Sequence, residues 1–254
     1  MRANHITIIV CAVSLVFLAS DPSLPQQMHA ADDSLHTVHQ PYDIETFGEF
    51  RRIMIGGDFG AKVSLDAVMA KHPTTGVGAL SGARGEITIY DGKLIVSYGK
   101  AGAVPDQNSE SAALLVVGSV GEWQSVQVER DVAPNEVESY IVIAAKTHGI
   151  DPEESFPFEV RGSVASYVMH VNAAPIDKEH GMGMPMAITV ESHGDQIDGV
   201  IAGLYASLDL MGIATHGGER THAHWISTDL ASTAHLDRWG LRSGAILMLP
   251  KPVR

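Results

Sequence analysis

Residues 86–98 read EITIYDGKLIVSY. Apolar and polar positions alternate on both sides of Asp91-Gly92, the dipeptide that most strongly marks a two-residue hairpin turn. Strict alternation buries one face of a strand and no face of a helix. This stretch therefore commits the chain to antiparallel β structure. Strand-like runs recur in SAALLVVGSVGEWQSVQVE, FPFEVRGSVASYVMHVN, MAITVESHGDQIDGVIAGLYA, HAHWIS and GAILMLP. Between them, RRIMIGGDFG reads as a turn-rich strand end. Ser64 is placed to cap a short helix carrying Leu65, Val68 and Met69. Asn135 is placed to cap a second, with Val137, Tyr140, Ile141 and Ala144 on one face and Gly149 ending it. The expected class is α+β, mostly β, with mixed sheets, a barrel-like C-terminal half and a few short helices. Residues 46–254 make the main domain, with a loose division near residue 150 into two β-rich halves.

The chain has 254 residues, 45% apolar and 19% charged, which is enough for a sizeable core. Its formal net charge of −13 argues against nucleic acid or anionic membrane surfaces as partners, because a polyanion would be repelled. At the start, Arg2 and His5 lead into the apolar run ITIIVCAVSLVFLAS. Its length suits an export signal over residues 1–30, cleaved before Ala31, giving a periplasmic or secreted protein; a retained anchor is the alternative. Residues 31–45 read as a polar lead-in. The single cysteine, Cys11, sits inside that apolar run. A processed chain then has no thiol, and any zinc site must use His, Asp and Glu.

The segment THAHWISTDLASTAH, residues 221–235, holds His222, His224 and His235. Residues i and i+2 of a strand share a face, with Cβ atoms about 6–7 Å apart, so His222 and His224 can reach one ion. STDLAST is turn-prone and brings His235 back on a neighbouring strand. Three imidazoles with an open fourth position are the arrangement of a catalytic rather than a structural zinc site. A surface cluster is the competing reading in a chain with 13 histidines. His72, His148, His180 and His193 read as solvated loop residues. His216 reads as a loop residue close enough to line the same pocket.

THAHWISTDLASTAHLD resembles the zinc-binding segment of the bacterial α-acetolactate decarboxylases, in the His-x-His pair, the eleven-residue step to the third His and the following Leu-Asp. GGDFGAKVSLDAVMAKHPTTGVGALSGARGEITIYDG is similar to the family's N-terminal block, FEVRGSVASYVMHV to its middle strand and IDGVIAGLYA to the Gly-rich strand before the metal segment. The resemblance spans roughly residues 46–250. It implies Zn²⁺ held by His222, His224 and His235, a homodimer, and a small 2-hydroxy-3-oxo acid as substrate: 2-acetolactate, converted to acetoin and CO2. It places the family's catalytic Glu on Glu86, and His170 where the family has its arginine. Arg161 is the nearest guanidinium; an odd step of nine residues turns it to the other face of an unbroken strand, unless a bulge reverses it. Ala79 stands for a family threonine. The family's C-terminal carboxylate has no counterpart before LPKPVR. These departures leave two other outcomes open. One is a family member that binds metal and a small oxyacid without turnover. The other is a zinc hydrolase with Glu86 as base.

Overall fold

In a computed structural model, which describes residues 37–39, 41–99, 110–177 and 186–252, the hairpin forms as its alternation requires. β5 (Gly85–Tyr90) and β6 (Lys93–Tyr98) pair antiparallel with Tyr90 opposite Lys93. Asp91 and Gly92 both take positive φ, 49° and 69°, the conformation of a type I′ turn. The first sheet is completed by β1 (Thr37–His39), β2 (Ile44–Phe47), β3 (Val63–Ser64), β4 (Thr75–Leu80) and β7 (Ser111–Gly118), in the order β1-β2-β7-β4-β5-β6 with β3 also on β7. The lead-in segment is thus not merely a tether. Tyr42 and Ile44 are buried in the core, which draws β2 onto β7.

The second sheet contains β8 (Trp123–Gln127), β9 (Phe156–Asp177), β10 (Met186–Tyr205), β11 (Thr221–Ile226), β12 (Thr233–Leu241) and β13 (Ile246–Pro250). Its order is β10-β11-β12-β9-β13-β8, and β10 also pairs with β9. β9, β10, β11 and β12 therefore close on one another, which is the barrel-like part expected of the C-terminal half. The mostly β, α+β class holds, with one correction: every described pairing is antiparallel rather than mixed. Parallel neighbours need crossovers of a dozen or more residues, and here paired strands such as β5–β6 and β11–β12 follow each other through tight turns. The change of sheet falls between β7 and β8, upstream of residue 150; Ile150 lies inside the second sheet's core.

Three α-helices flank the sheets among the described residues. α1 (Phe50–Gly56) occupies the stretch read as a strand end. The sequence signal is poor, but tertiary contacts make the helix. The first N–H groups of a helix have no partner inside it, and those of Phe50 and Arg51 donate to the carbonyls of Ile213 and Gly212, both at 2.9 Å. α2 (Leu65–Met69) starts as expected, with Ser64 Oγ accepting from Ala67 N at 3.2 Å. α3 (Val137–Thr147) buries Val137, Ile141, Ala144 and Ala145 against the second sheet. The expected signal segment, Cys11 and His180 lie outside the described residues. Among the described residues no helix is long and apolar enough to cross a membrane.

The sheets meet through Val77 and Ile95 on one side and Ala202 and Ile226 on the other. β4 and β7 come so close that a Cβ on Gly78 would stand 2.1 Å from the Leu114 carbonyl oxygen. Gly78→Ala is therefore expected to cost about 1–3 kcal/mol. At roughly 2–4 °C per kcal/mol, the thermal midpoint drops by several degrees in calorimetry. An unchanged midpoint would contradict this close approach.

Candidate metal centre

The three histidines converge. β11 carries His222 and His224 on one face, and His224 stands directly opposite His235 on β12. The connecting turn is built by its own side chains: Ser227 Oγ accepts from Ser232 N at 3.0 Å and Asp229 Oδ1 from Ala231 N at 3.1 Å. All three imidazoles are buried. His222 Nε2 and His235 Nδ1 each lie 3.3 Å from His224 Nε2.

The other ring nitrogens decide what this close approach means. A carbonyl only accepts, so His222 Nδ1, 2.9 Å from Ala214 O, carries the proton. Thr233 Oγ1 donates to Trp225 O at 2.9 Å and must accept from Thr88 Oγ1 at 2.6 Å. Thr88 Oγ1 then accepts from His224 Nδ1 at 2.9 Å. Both Nε2 atoms are left with bare lone pairs, facing each other across 3.3 Å. That arrangement is repulsive unless a cation sits between them. A proton does not serve: burial pushes the His222 imidazole down to about 3, and burial together with neighbouring histidines holds His224 and His235 well below the usual value. A metal does serve. Zinc–nitrogen bonds of about 2.0–2.1 Å at tetrahedral angles separate neighbouring donors by about 3.3–3.4 Å. The donor set fits a borderline ion of this kind, zinc among them.

Glu86 extends from β5 into the same place. Its Oε1 accepts from Asn172 N at 3.0 Å and Asn172 Nδ2 at 2.6 Å, and its Oε2 stands 3.8 Å from His224 Nε2. Burial raises its carboxyl to about 7 against the opposing pull of His170 and Asn172. His170 faces His235 across β9 and β12, with ring centroids 4.9 Å apart. Its Nδ1 donates to both oxygens of Asp237 at 2.9 Å. Burial acts to lower the His170 imidazole, but Asp237, Glu86 and Glu191 outweigh it and the group is raised. His216, a loop residue as expected, packs on Phe50 with centroids 4.2 Å apart and lines the same cavity. His193 lies on β10 rather than in a loop.

Arg161 is not part of the centre. It pairs with Glu159 at 2.9 Å, beside Tyr90. A bulge does reverse β9: Glu159 and Arg161 face β5 at Tyr90, whereas His170 and Asn172 face β5 at Glu86, and Ser166 between them has a φ of 46°. The facing is therefore right and the distance wrong, since Tyr90 is four residues from Glu86, about 13 Å of strand. The surrounding cavity, about 380 Å³, is lined by Glu86, Asn172, His170, Asp237 and Glu191 on its polar side. No lysine or arginine lines it among the described residues. Neither Thr88 nor Asn172 is named from the sequence, and Asp237 enters there only as the Asp of the Leu-Asp that follows His235. Each stands two positions after a residue that is singled out.

The triad has a consequence for the metal-free protein. Imidazoles depressed in the folded state and free at 6.5 in the unfolded chain take up protons on unfolding as pH falls below 6.5. Glu86, raised to about 7 from 4.5, acts oppositely between those values. Three protons gained against one lost leave a net uptake of two, so stability falls by at most about 3 kcal/mol per pH unit on acidification from 6.5 towards 4.5. Urea titrations across this range measure it. A flat profile would mean that the imidazoles are not buried neutral.

The family profile described as alpha-acetolactate decarboxylase matches residues 52–249. Among solved structures, the chain is similar to the alpha-acetolactate decarboxylase of Bacillus subtilis strain 168, with 16% identity and a TM-score of 0.66 over 82% of this chain and 86% of that one. It is also similar to a Staphylococcus aureus protein of unknown function described as similar to alpha-acetolactate decarboxylase, with 14% identity and a TM-score of 0.60 over 80% of this chain and 83% of that one. No curated protein matches the sequence. With most of its length covered by one family profile, this chain belongs to the alpha-acetolactate decarboxylase family.

Proposed function

We propose that the protein is a zinc-dependent decarboxylase that converts 2-acetolactate to acetoin and CO2. The observation that carries this reading is the pair of bare imidazole lone pairs on His222 and His224, with a buried carboxyl group, Glu86, 3.8 Å from one of them. His222, His224 and His235 would hold a divalent ion, which would supply Lewis acidity to the substrate's oxygens. When the bond to the carboxylate breaks, CO2 leaves and its electron pair enters the enediolate. One proton must then reach carbon to give acetoin. Glu86 is the group placed to give it. Burial keeps its proton near neutral pH, and Asn172 holds Oε1 so that Oε2 faces the site. His170, with Nδ1 held by Asp237, offers its other edge to the cavity and positions the substrate carboxylate. The same reading takes the protein as exported and homodimeric.

One observation favours a second reading, a metal and oxyacid binder without turnover. His170 replaces a guanidinium and carries one ring edge where Arg offers a two-pronged donor. Acetoin and CO2 release from 2-acetolactate separates the two. The decarboxylase reading expects turnover by zinc-loaded protein that is lost on chelation and regained with zinc. Folded, zinc-loaded protein that binds the acid and releases no acetoin would establish the second.

A further inference from the structure

A substrate acid brings a carboxylate into a cavity that no lysine or arginine lines among the described residues, and that Glu86, Asp237 and Glu191 line already. Burying that charge without donors is costly. The donors nearest to hand are engaged. Asn172 N and Nδ2 both donate to Glu86 Oε1, and His170 Nδ1 donates to Asp237. His170 keeps one ring edge, enough for one arm of a clamp. His216 stands where a second arm is needed. Its ring borders that of His235, with centroids 5.7 Å apart, as the ring of His170 does at 4.9 Å. It lies outside the group whose ligand atoms converge. It packs on Phe50, and among the described residues its ring nitrogens have no hydrogen-bond partner. The loop that carries it is fixed on both sides. Before it, Ala214 O accepts from His222 Nδ1 at 2.9 Å, and the Gly212 and Ile213 carbonyls accept from the start of α1. After it, Glu219 N donates to His216 O at 3.2 Å, and the Thr215 hydroxyl donates to Glu219 O at 2.6 Å. A donor anchored in this way loses little freedom when a ligand arrives.

We propose that His216 is a substrate-binding residue: it donates a ring N–H to the substrate carboxylate and forms, with His170, a two-armed clamp for it. The acid as substrate rests on the decarboxylase reading; the second arm rests on the placement of His216. The carboxylate loses its charge as CO2 forms, so this contact holds the bound acid more tightly than the transition state.

Calorimetry on the zinc-loaded protein tests this with two ligands. 2,3-Dihydroxy-2-methylbutanoate has the carboxylate but no ketone to accept the electron pair, so it cannot decarboxylate. Acetoin has the hydroxyl and carbonyl and lacks the carboxylate. His216→Phe keeps a ring against Phe50 and removes the donor. It is expected to weaken the acid by about 10–100-fold, the loss of one hydrogen bond to a charged group. Acetoin affinity and zinc content are expected to stay as they are. His216→Asn and His216→Gln each restore an N–H near one ring nitrogen, and one of them should recover most of the acid affinity. With 2-acetolactate, His216→Phe should raise KM more than it lowers kcat. His216→Ala replaces it where His216→Phe does not fold. Unchanged acid affinity, or acid and acetoin weakened alike, overturns the proposal. So does a fall in zinc content, which would make His216 a ligand. If 2-acetolactate is still turned over, the decarboxylase reading stands in each case. Parent protein that binds the acid through His216 and releases no acetoin supports the clamp and overturns the decarboxylase reading.

Discussion

Replacing Glu86 with glutamine is expected to lower kcat for 2-acetolactate by about 10²–10⁴-fold, the range lost when a positioned proton donor is removed. The substitution is close to isosteric. The glutamine oxygen can still accept from Asn172 N and Nδ2, as Glu86 Oε1 does at 3.0 and 2.6 Å. The amide that replaces Oε2 has no proton to give at neutral pH. Zinc content should be unchanged, since the three imidazoles stay in place, and that control separates lost chemistry from a lost site. A kcat within threefold of the parent would show that the proton reaches carbon from another group, with His170 the next to examine.

The second large effect is expected at a residue that touches no substrate. Thr88 lies on β5 and His224 on β11, far apart in sequence, yet the Thr88 hydroxyl fixes which nitrogen of His224 carries the proton. Partners of this kind typically account for 10–100-fold in metal affinity. Thr88→Val keeps the shape and removes the acceptor. The Ile87 carbonyl, also an acceptor for His224, remains. The expected loss is therefore about tenfold in zinc affinity, the low end of that range, measured by competition with a chromophoric chelator. Thr88→Ser retains the hydroxyl and should recover most of it. If valine binds zinc as tightly as threonine, Ile87 alone sets the tautomer.

Much of this centre was legible because strands have a period of two. The spacing of His222 and His224, the turn after Ser227 and the return of His235 were readable from residue types alone. The same rule, carried further, reaches Thr88 from Glu86, Asn172 from His170 and Asp237 from His235. What it cannot reach is anything set between elements. The helix at Phe50 exists because carbonyls of Gly212 and Ile213 receive its first N–H groups, and no local signal announces them. Without that helix, Phe50 has no visible reason to pack against His216 and His222. Arg161 fails in the opposite way. Facing was the open question in the sequence, and the bulge at Ser166 answers it favourably, but the residue lies too far along β9. Periodicity reports the side of a strand on which a residue lies and says nothing of which strand crosses it.

The central claim is that His222, His224 and His235 hold a metal ion at the polar end of the cavity. X-ray absorption at the zinc edge of the loaded protein tests it most directly. The expected spectrum shows one ion per chain with three imidazole nitrogens at about 2.0–2.1 Å and a lighter oxygen donor completing the shell. A shell of oxygens without imidazole scattering, or an unchanged spectrum after His224→Ala, would contradict it.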